Sequence, residues 1–364
     1  MSCASAGKRE RLARMAERPF PDGAPRRRAG RERATDTSPH PAYTDVAAAA
    51  TRVRGTAART PLFRCAALDE RVGARVYIKP ENLQTTGSFK LRGAFNRIAS
   101  LPAATRDQGV VAYSSGNHAQ GVAAAARALG IPAIIVMPED APLAKVERTR
   151  ALGAEIHRHA RFFERRERIA ADLAATRGAT IVPPYDDPMV LAGQGTVGLD
   201  IFQDARALGE QLDAVYVCAG GGGLAAGIAL AAEGVSPDTA LFTCEPHGFD
   251  DHARSLALGE RVRNEPGATS LCDGLMAPTP GALPFAVAKD RLAGGLAVSE
   301  DEICAAVACA FTTLKQVVEP SGAPALAAAL THGAPRNARA IAVVLTGGNV
   351  DPGLYRDLLA RGGA

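Results

Sequence analysis

The chain has 364 residues, of which 47 % are hydrophobic and 22 % are charged, so it can bury one large core or two moderate ones. No apolar run is long enough to cross a bilayer, and the chain does not open on an apolar signal sequence, which excludes a membrane-spanning protein. Seven cysteines, an odd number without metal-type pairing, favour a reducing compartment, and we therefore expect a cytoplasmic protein.

The net charge of +4 is concentrated at the N-terminus. Residues 1–40 contain ten Lys or Arg and five Asp or Glu, whereas the rest of the chain is close to neutral. Prolines, arginines and few large apolar residues predict a disordered Arg-rich tail over residues 1–40. Such an arm can bind nucleic acid, but a dispensable extension, or a start codon at Met15, is the preferred interpretation. We therefore expect no nucleic-acid partner.

Ordered structure is predicted to begin near Tyr43 with an alanine-rich helix, followed by a strand over 75–79 and a helix that starts near Ser88. The stretch 260–295 is predicted to be irregular. From residue 109 the pattern alternates between strands at 109–113, 132–137, 154–157, 179–182, 213–218, 239–244 and 339–345 and helices at 118–129, 142–152, 162–177, 189–206, 223–233, 251–258, 299–316 and 321–332. This alternation predicts parallel sheets with helices on both faces, in which ligands bind at the carboxyl ends of the strands.

The stretch 79–94 reads KPENLQTTGSFKLRGA and joins the strand at 75–79 to the next helix. Gly87 and Ser88 are turn and N-cap residues, which puts Lys90 in the first helical turn. Free backbone N–H groups and the positive end of the helix dipole disfavour a cation there and favour a neutral, nucleophilic amine. Taken alone, the motif is also compatible with an ordinary surface lysine.

Two more strand–turn–helix units carry polar or glycine turns. The first, VVAYSSGNHAQG at 110–121, opens a helix whose free N–H groups can bind a substrate carboxylate, although an ordinary N-cap is the alternative. The second, VYVCAGGGGL at 215–224, suits a phosphate because residues without Cβ let backbone N–H groups converge on an anion. Gly221, Gly223, Ala226 and Glu245 also fit a dinucleotide fingerprint, so a nicotinamide dehydrogenase is the competing interpretation.

In this order and spacing, the three motifs resemble the serine/threonine dehydratase and serine racemase family of pyridoxal-phosphate enzymes. The stretches VEPSGA at 318–323 and VLTGGNVD at 344–351 extend the resemblance over roughly residues 45–352. It implies a tryptophan-synthase-β-like α/β fold (fold type II), with two open parallel-sheet domains, helices on both faces and the cofactor between them. Residues 41–108 and 187–364 would form the large cofactor-binding domain, and residues 109–186 the small one.

The resemblance also implies roles for individual residues. Lys90 would hold pyridoxal phosphate as a Schiff base and, once released, would remove the α-proton, while Ser115 would face the other side of the substrate. The segment with Tyr185 and Asp187 joins the domains near the cofactor ring. The implied cofactor-binding residues are Phe89, Lys90, Asn117, Gly220, Gly221, Gly222, Gly223, Leu224 and Thr346. The implied substrate-binding residues are Ser114, Ser115, Gly116, Asn117 and His118, with Thr85, Gly87 and Gln120 as weaker candidates.

Glu245, Asp251 and the carbonyl of Phe249 match a divalent-cation site of the family. Carboxylate and carbonyl oxygens suit Mg²⁺ or Ca²⁺, and the alternative is a surface acidic turn. The resemblance further implies a homo-oligomer, most simply a dimer.

The expected reaction is β-elimination from L-threonine or L-serine, which gives 2-oxobutanoate or pyruvate plus ammonia. By resemblance, Thr346 faces the pyridine nitrogen, and its neutral hydroxyl would favour prompt loss of the β-substituent. Serine racemisation or dehydration of threo-3-hydroxyaspartate stays open on the same scaffold, because Ser115 permits proton delivery from the second face.

Overall fold

The computed structural model describes residues 40–141, 143–160 and 165–364. The Arg-rich tail predicted for residues 1–40 lies almost entirely outside the described residues. The described residues form ten strands: β1 (Phe63–Arg64), β2 (Arg75–Pro80), β3 (Val110–Tyr113), β4 (Ala133–Pro138), β5 (Glu155–His159), β6 (Thr180–Ile181), β7 (Ala214–Cys218), β8 (Ala240–Pro246), β9 (Gly294–Val298) and β10 (Ala340–Leu345).

The same residues form fourteen α-helices. No helix among them is long and apolar enough to cross a membrane. In chain order the helices are α1 (Tyr43–Val53), α2 (Ala66–Val72), α3 (Lys90–Ala99), α4 (Ala103–Arg106), α5 (Asn117–Leu129), α6 (Leu143–Ala151), α7 (Arg166–Arg177), α8 (Pro188–Ala207), α9 (Gly223–Val235), α10 (Asp251–Leu258), α11 (Ala282–Ala288), α12 (Glu300–Thr312), α13 (Pro324–His332) and α14 (Pro352–Arg361).

The strands form two separate sheets. The large sheet has the order β1-β2-β10-β7-β8-β9, and the small sheet has the order β5-β4-β3-β6. Pairing is parallel throughout, except that the edge strand β1 runs antiparallel to β2. This confirms the predicted fold class. The small sheet uses residues 110–181 alone, but the boundaries proposed for the two domains stay a prediction.

The central strands of the large sheet are apolar at every position. Other parts of the protein therefore pack against both of its faces. In β10, Ile341, Val343 and Leu345 pack into one buried cluster, and the alternate residues Ala342 and Val344 pack into another. Successive side chains of a strand point to opposite faces, so one strand contributes to both layers of core. The faces of the sheet are therefore not available to a ligand. The predicted motifs lie at the ends of the strands instead.

The sequence missed five short elements. α11 falls within 260–295, which was predicted to be irregular, and β9 begins there, while β1, α2 and α4 were not predicted. β9 reads GGLAV, and the two glycines weaken its strand signal. A Cβ at Gly295 would stand 2.6 Å from that of Ala253 in α10, so the glycine lets the helix approach the sheet closely.

Candidate active site

Lys90 is the first residue of α3, whose N-cap is Phe89 with helical dihedrals of φ −56° and ψ −19°. The predicted start near Ser88 is therefore two residues too early, and no side-chain cap hydrogen bond is formed. The hydroxyl of Ser88 is buried, and it has no hydrogen-bond partner among the described residues. Gly87 does form the turn, with φ of +72°, a conformation that favours glycine.

The amine of Lys90 donates a hydrogen bond from Nζ to the carbonyl oxygen of Pro184 at 2.8 Å. The residue is partly exposed, yet the protein atoms around Nζ desolvate the charged form. This desolvation lowers the pKa of Lys90 to about 8. The direction matches the prediction of an easily deprotonated amine, but the cause is burial rather than the helix dipole.

A buried ion-pair network around Arg92, two residues after Lys90, holds the first turn of α3 in place. The guanidinium of Arg92 donates to both carboxylate oxygens of Glu81 at 2.8 Å and lies 2.9 Å from Asp200. Burial disfavours the charge on Glu81, but Arg92 outweighs this and lowers the pKa of the carboxyl. Lys79 completes the network, with Nζ 2.7 Å from the carbonyl of Thr60. The start of α3 is therefore fixed to the large sheet.

The glycine loop, residues 220–223, connects β7 to α9. Gly222 has φ of +88°, in the left-handed region, and α9 begins at Gly223. A Cβ at Gly221 would overlap the ring of Tyr185, and one at Gly222 would overlap the imidazole of His252. Positions 221 and 222 therefore require glycine, and the loop has free N–H groups at the start of α9.

Asn117 begins α5 and connects the small sheet to the large one. Its Nδ2 donates to Oε1 of Glu319 at 2.5 Å, and its Oδ1 accepts from Nδ2 of Asn349 at 2.8 Å. Asn349 also donates to the carbonyl of Thr86, two residues before Ser88. Glu319 and Asn349 belong to the stretches quoted above for the resemblance, but no site role was predicted for them.

Glu319 is 6 % exposed and carries an unusual carboxyl. Burial, reinforced by the negative charge of Asp273, raises the pKa of Glu319 to about 8, and the hydrogen bond from Asn117 opposes this only in part. The side chain is therefore a neutral carboxylic acid at neutral pH. It can donate a hydrogen bond as well as accept one.

Thr346 follows β10 and is 5 % exposed. Its hydroxyl donates to the carbonyl of Ser321 at 3.3 Å, and its own carbonyl accepts from the N–H of Phe89. The residue before Lys90 is thereby attached to the end of the central strand. Leu224, the second residue of α9, is buried in the core behind the glycine loop.

The turn before α5 holds the predicted substrate-binding residues. Ser114 accepts a hydrogen bond from the N–H of Gly116, and Ser115 is half-buried in the same turn. His118 is buried, with Nε2 2.8 Å from the carbonyl of Val182, and burial lowers its pKa to about 3. A neutral His118 supports the helix start, and its contact with substrate stays a prediction.

Tyr185 and Asp187 differ in position. The ring of Tyr185 packs on the glycine loop, whereas Asp187 caps α8 by accepting from the N–H groups of Met189 and Val190. Asp187 also pairs with Arg97 at 2.8 Å, so its role is structural.

The predicted cation site lies behind the loop, where β8 meets α10. Glu245 accepts from the N–H groups of His252 and Ala253, and Asp251 accepts from Asn264 at 2.7 Å. Burial raises the pKa of Glu245 well above its ordinary range and that of Asp251 to about 6. Within the described part of the chain, no group of three or more His, Cys, Asp or Glu side chains is arranged to hold a metal ion. The cation therefore stays a prediction.

These features define a class of protein: an α/β enzyme with an easily deprotonated lysine at the start of one helix and a glycine loop with free N–H groups at the start of another. Residues 53–347 match the family described as pyridoxal-phosphate dependent enzymes, and the chain belongs to this family. The match excludes the dinucleotide interpretation of the glycine loop.

Individual relatives agree with the predicted branch of the family. An L-threo-3-hydroxyaspartate ammonia-lyase of a Pseudomonas species is 44 % identical over 317 residues, which cover 87 % of this chain and 98 % of that protein. A serine racemase of Schizosaccharomyces pombe is 38 % identical over 321 residues, covering 88 % and 98 %. The crystal structure of a threonine deaminase from T.th. has a TM-score of 0.81 and 42 % identity, covering 85 % of this chain and 99 % of that one.

The residues present fit the family's cofactor. The loop at 220–223 has no room for a Cβ at Gly221 or Gly222 and offers backbone N–H groups, which suits a phosphate. Lys90 supplies an amine that loses its proton near neutral pH, which suits an aldehyde. Thr346 adds a hydroxyl after β10, and Asn117 adds an amide at the start of α5.

Proposed function

We propose that the protein is a pyridoxal-phosphate-dependent ammonia-lyase that converts L-threonine to 2-oxobutanoate, or L-serine to pyruvate, with release of ammonia. The observation that carries this proposal is the amine of Lys90, whose pKa of about 8 makes it both a nucleophile and a base near neutral pH. The relatives named above, which include a threonine deaminase, support the class of substrate.

Bound pyridoxal phosphate supplies an aldehyde for an amino group and an electron-withdrawing ring that acidifies the neighbouring α-hydrogen. In the proposal, Lys90 holds the aldehyde and later takes the α-proton on Nζ. The start of α5 binds the substrate carboxylate through its free N–H groups, with Ser114, Ser115 and Gly116 in the turn. Thr346 presents a neutral hydroxyl to the ring nitrogen and does not keep it protonated as an acid would.

A divalent cation at Glu245, Asp251 and the carbonyl of Phe249 is part of the proposal. Its support is the Oδ2 atom of Asp251, which is buried and has no hydrogen-bond partner among the described residues. A hard cation such as Mg²⁺ would satisfy this oxygen and relieve the repulsion between the two carboxylates. We further propose that the protein is a homodimer in the cytoplasm.

Dehydration of threo-3-hydroxyaspartate is the second candidate. Lys145, on α6, reaches across the cleft to Asp273 at 2.6 Å, close to Glu319. Its ammonium group could pair with the extra carboxylate of this substrate in place of Asp273. The Pseudomonas relative, named for this substrate, supports the same alternative. A Lys145→Met variant would then lose activity on threo-3-hydroxyaspartate far more than on serine.

The deciding measurement is the release of keto acid from L-threonine, L-serine, D-serine and threo-3-hydroxyaspartate, with cofactor and magnesium present. Fast 2-oxobutanoate formation supports the main proposal, and release from 3-hydroxyaspartate alone supports the second. A change in serine chirality without ammonia would identify a racemase instead.

Replacement of Lys90 by Ala should reduce turnover by at least about a thousandfold, because both cofactor attachment and proton transfer are lost. The check is keto-acid release together with mass spectrometry of the borohydride-reduced protein. Activity near that of the wild type, or cofactor attached to another lysine, would contradict the assignment.

A further inference from the structure

His252 lies at the start of α10, directly behind the glycine loop. The residue is fully buried, and its Nε2 is 2.9 Å from the carbonyl oxygen of Gly220. A carbonyl oxygen can only accept, so Nε2 carries the hydrogen and donates it. The other ring nitrogen, Nδ1, has no hydrogen-bond partner among the described residues. The imidazole is thus held by this single polar contact and by packing against Gly222.

The direction of the Gly220 carbonyl decides the direction of the next N–H. In a planar trans peptide, the C=O of one residue and the N–H of the following residue point to opposite sides. A carbonyl directed at His252 therefore turns the N–H of Gly221 away from His252. The Gly221 carbonyl is fixed likewise by the N–H of Gly281 at 3.0 Å, which turns the N–H of Gly222. The orientations of two N–H donors of the loop, those of Gly221 and Gly222, are therefore set by contacts on its outer side.

The backbone of His252 is itself attached to the large sheet. Its N–H donates to Oε1 of Glu245 at 2.8 Å, and the N–H of Ala253 donates to Oε2 at 2.9 Å. Glu245 belongs to β8, which pairs directly with β7, the strand that leads into the glycine loop. The imidazole and the loop therefore share one rigid frame, so the hydrogen bond can fix a peptide orientation that four glycines would otherwise leave free.

We propose that His252 is a positioning residue of the phosphate seat, whose Nε2–H orients the peptide between Gly220 and Gly221 so that the Gly221 N–H faces the phosphate. This inference rests on the proposed function, because it takes the glycine loop as the phosphate seat. The sequence motifs did not single out His252. In this proposal, His252 acts on the cofactor through the carbonyl of Gly220.

The test compares holoenzyme variants that keep or remove the donor. His252→Gln places an amide N–H near the position of Nε2, and His252→Leu fills similar space without a donor. His332→Leu is the matched control, because Nε2 of His332 also contacts a carbonyl, that of Ala297 at 3.1 Å, in another region. The readouts are the dissociation constant of pyridoxal phosphate and the ³¹P resonance of the bound phosphate.

The Leu variant should bind pyridoxal phosphate about tenfold more weakly and shift the ³¹P resonance, as expected for a misdirected hydrogen-bond donor. Its affinity for pyridoxal, which lacks the phosphate, should not change. The Gln variant and the His332→Leu control should match the wild type in both readouts. Unchanged cofactor affinity in the Leu variant, or an equal loss for pyridoxal, would overturn the proposal.

Two further measurements separate the possible failures. If the wild type binds pyridoxal phosphate no better than pyridoxal, the proposed phosphate seat itself is wrong, whatever the variants do. If the Leu variant does not fold, the imidazole of the wild-type holoenzyme is observed directly by NMR. A slowly exchanging Nε2–H that disappears in His252→Gln supports the inference, and rapid exchange contradicts it.

Discussion

Two buried charged clusters flank the cleft, and they are built in opposite ways. Beneath Lys90, the carboxylate of Glu81 has the guanidinium of Arg92 at 2.8 Å, and its pKa is lowered. Behind the glycine loop, Glu245 and Asp251 lie together and form no ion pair with another described residue, and both pKa values are raised. A buried charge that is paired within the fold is a structural element, whereas an unpaired one requires a proton or a cation.

Disrupting the ion pair between Arg92 and Glu81 should have the largest effect on stability. Arg92→Met leaves Glu81 buried without its partner, so the free energy of unfolding should fall by about 3–5 kcal/mol. Denaturant titration of the purified protein measures this. Arg59→Met is the control in the same region, because the Arg59–Asp204 pair lies at the surface and should change stability by no more than about 1 kcal/mol. Equal effects of the two variants would contradict the structural role of the Arg92 pair.

Glu319 extends the comparison to an unpaired carboxyl inside the cleft. Its folded-state pKa of about 8 lies above its value in the unfolded chain, so the folded state binds more protons and loses stability as the pH rises. Between about pH 5 and pH 7, the wild type should lose about 2 kcal/mol relative to Glu319→Gln, which cannot ionise. Unfolding curves of the two proteins across this range provide the measurement.

The control for this experiment is Glu147→Gln, at an exposed position on α6. This variant should follow the wild-type pH dependence, because a surface carboxylate is solvated in both states. A wild type and a Glu319→Gln variant with parallel pH profiles would show that Glu319 is ionised in the fold.

The cluster of Glu245 and Asp251 behind the glycine loop should give the smallest effect on stability, through the binding of a cation. Excess Mg²⁺ should stabilise the wild type by about 1 kcal/mol through binding to the folded state. Asp251→Asn should abolish this response, and the exposed Asp290→Asn should retain it. Melting temperatures measured with and without Mg²⁺ test this prediction. An equal response of Asp251→Asn and the wild type would exclude this cluster as the cation site.

From the sequence, those candidate site residues that depend on local order could be predicted. Lys90, Asn117 and the glycine loop each follow a strand, and parallel strands bring such turns to one edge. The contacts of these residues could not be predicted. Asn117, for example, forms hydrogen bonds with Glu319 and Asn349, which are 202 and 232 residues away in the sequence. The helix start at Lys90 was misplaced because Ser88, a good N-cap type, makes no cap.

His252 shows a second limit. A histidine one residue after an acidic pair gives no period or spacing that a motif search would use. Its proposed role comes from the contact of Nε2 with the carbonyl of Gly220, 32 residues away in the sequence, which exists only in the folded chain. The short β1 and the glycine-containing β9 were missed for a simpler reason, because both are formed by pairing with a neighbouring strand rather than by local preference.

The position of β10 has a consequence for the order of folding. This strand comes late in the chain, yet it lies between β2 and β7 in the middle of the large sheet. The early strand β2 therefore lacks its parallel neighbour until residue 345 has been synthesised, whereas the small sheet is formed from residues 110–181 alone. We expect the small sheet to gain protection from hydrogen exchange first during refolding, which pulse labelling can follow. The end of β10, which leads to the proposed site residue Thr346, would join the large sheet last.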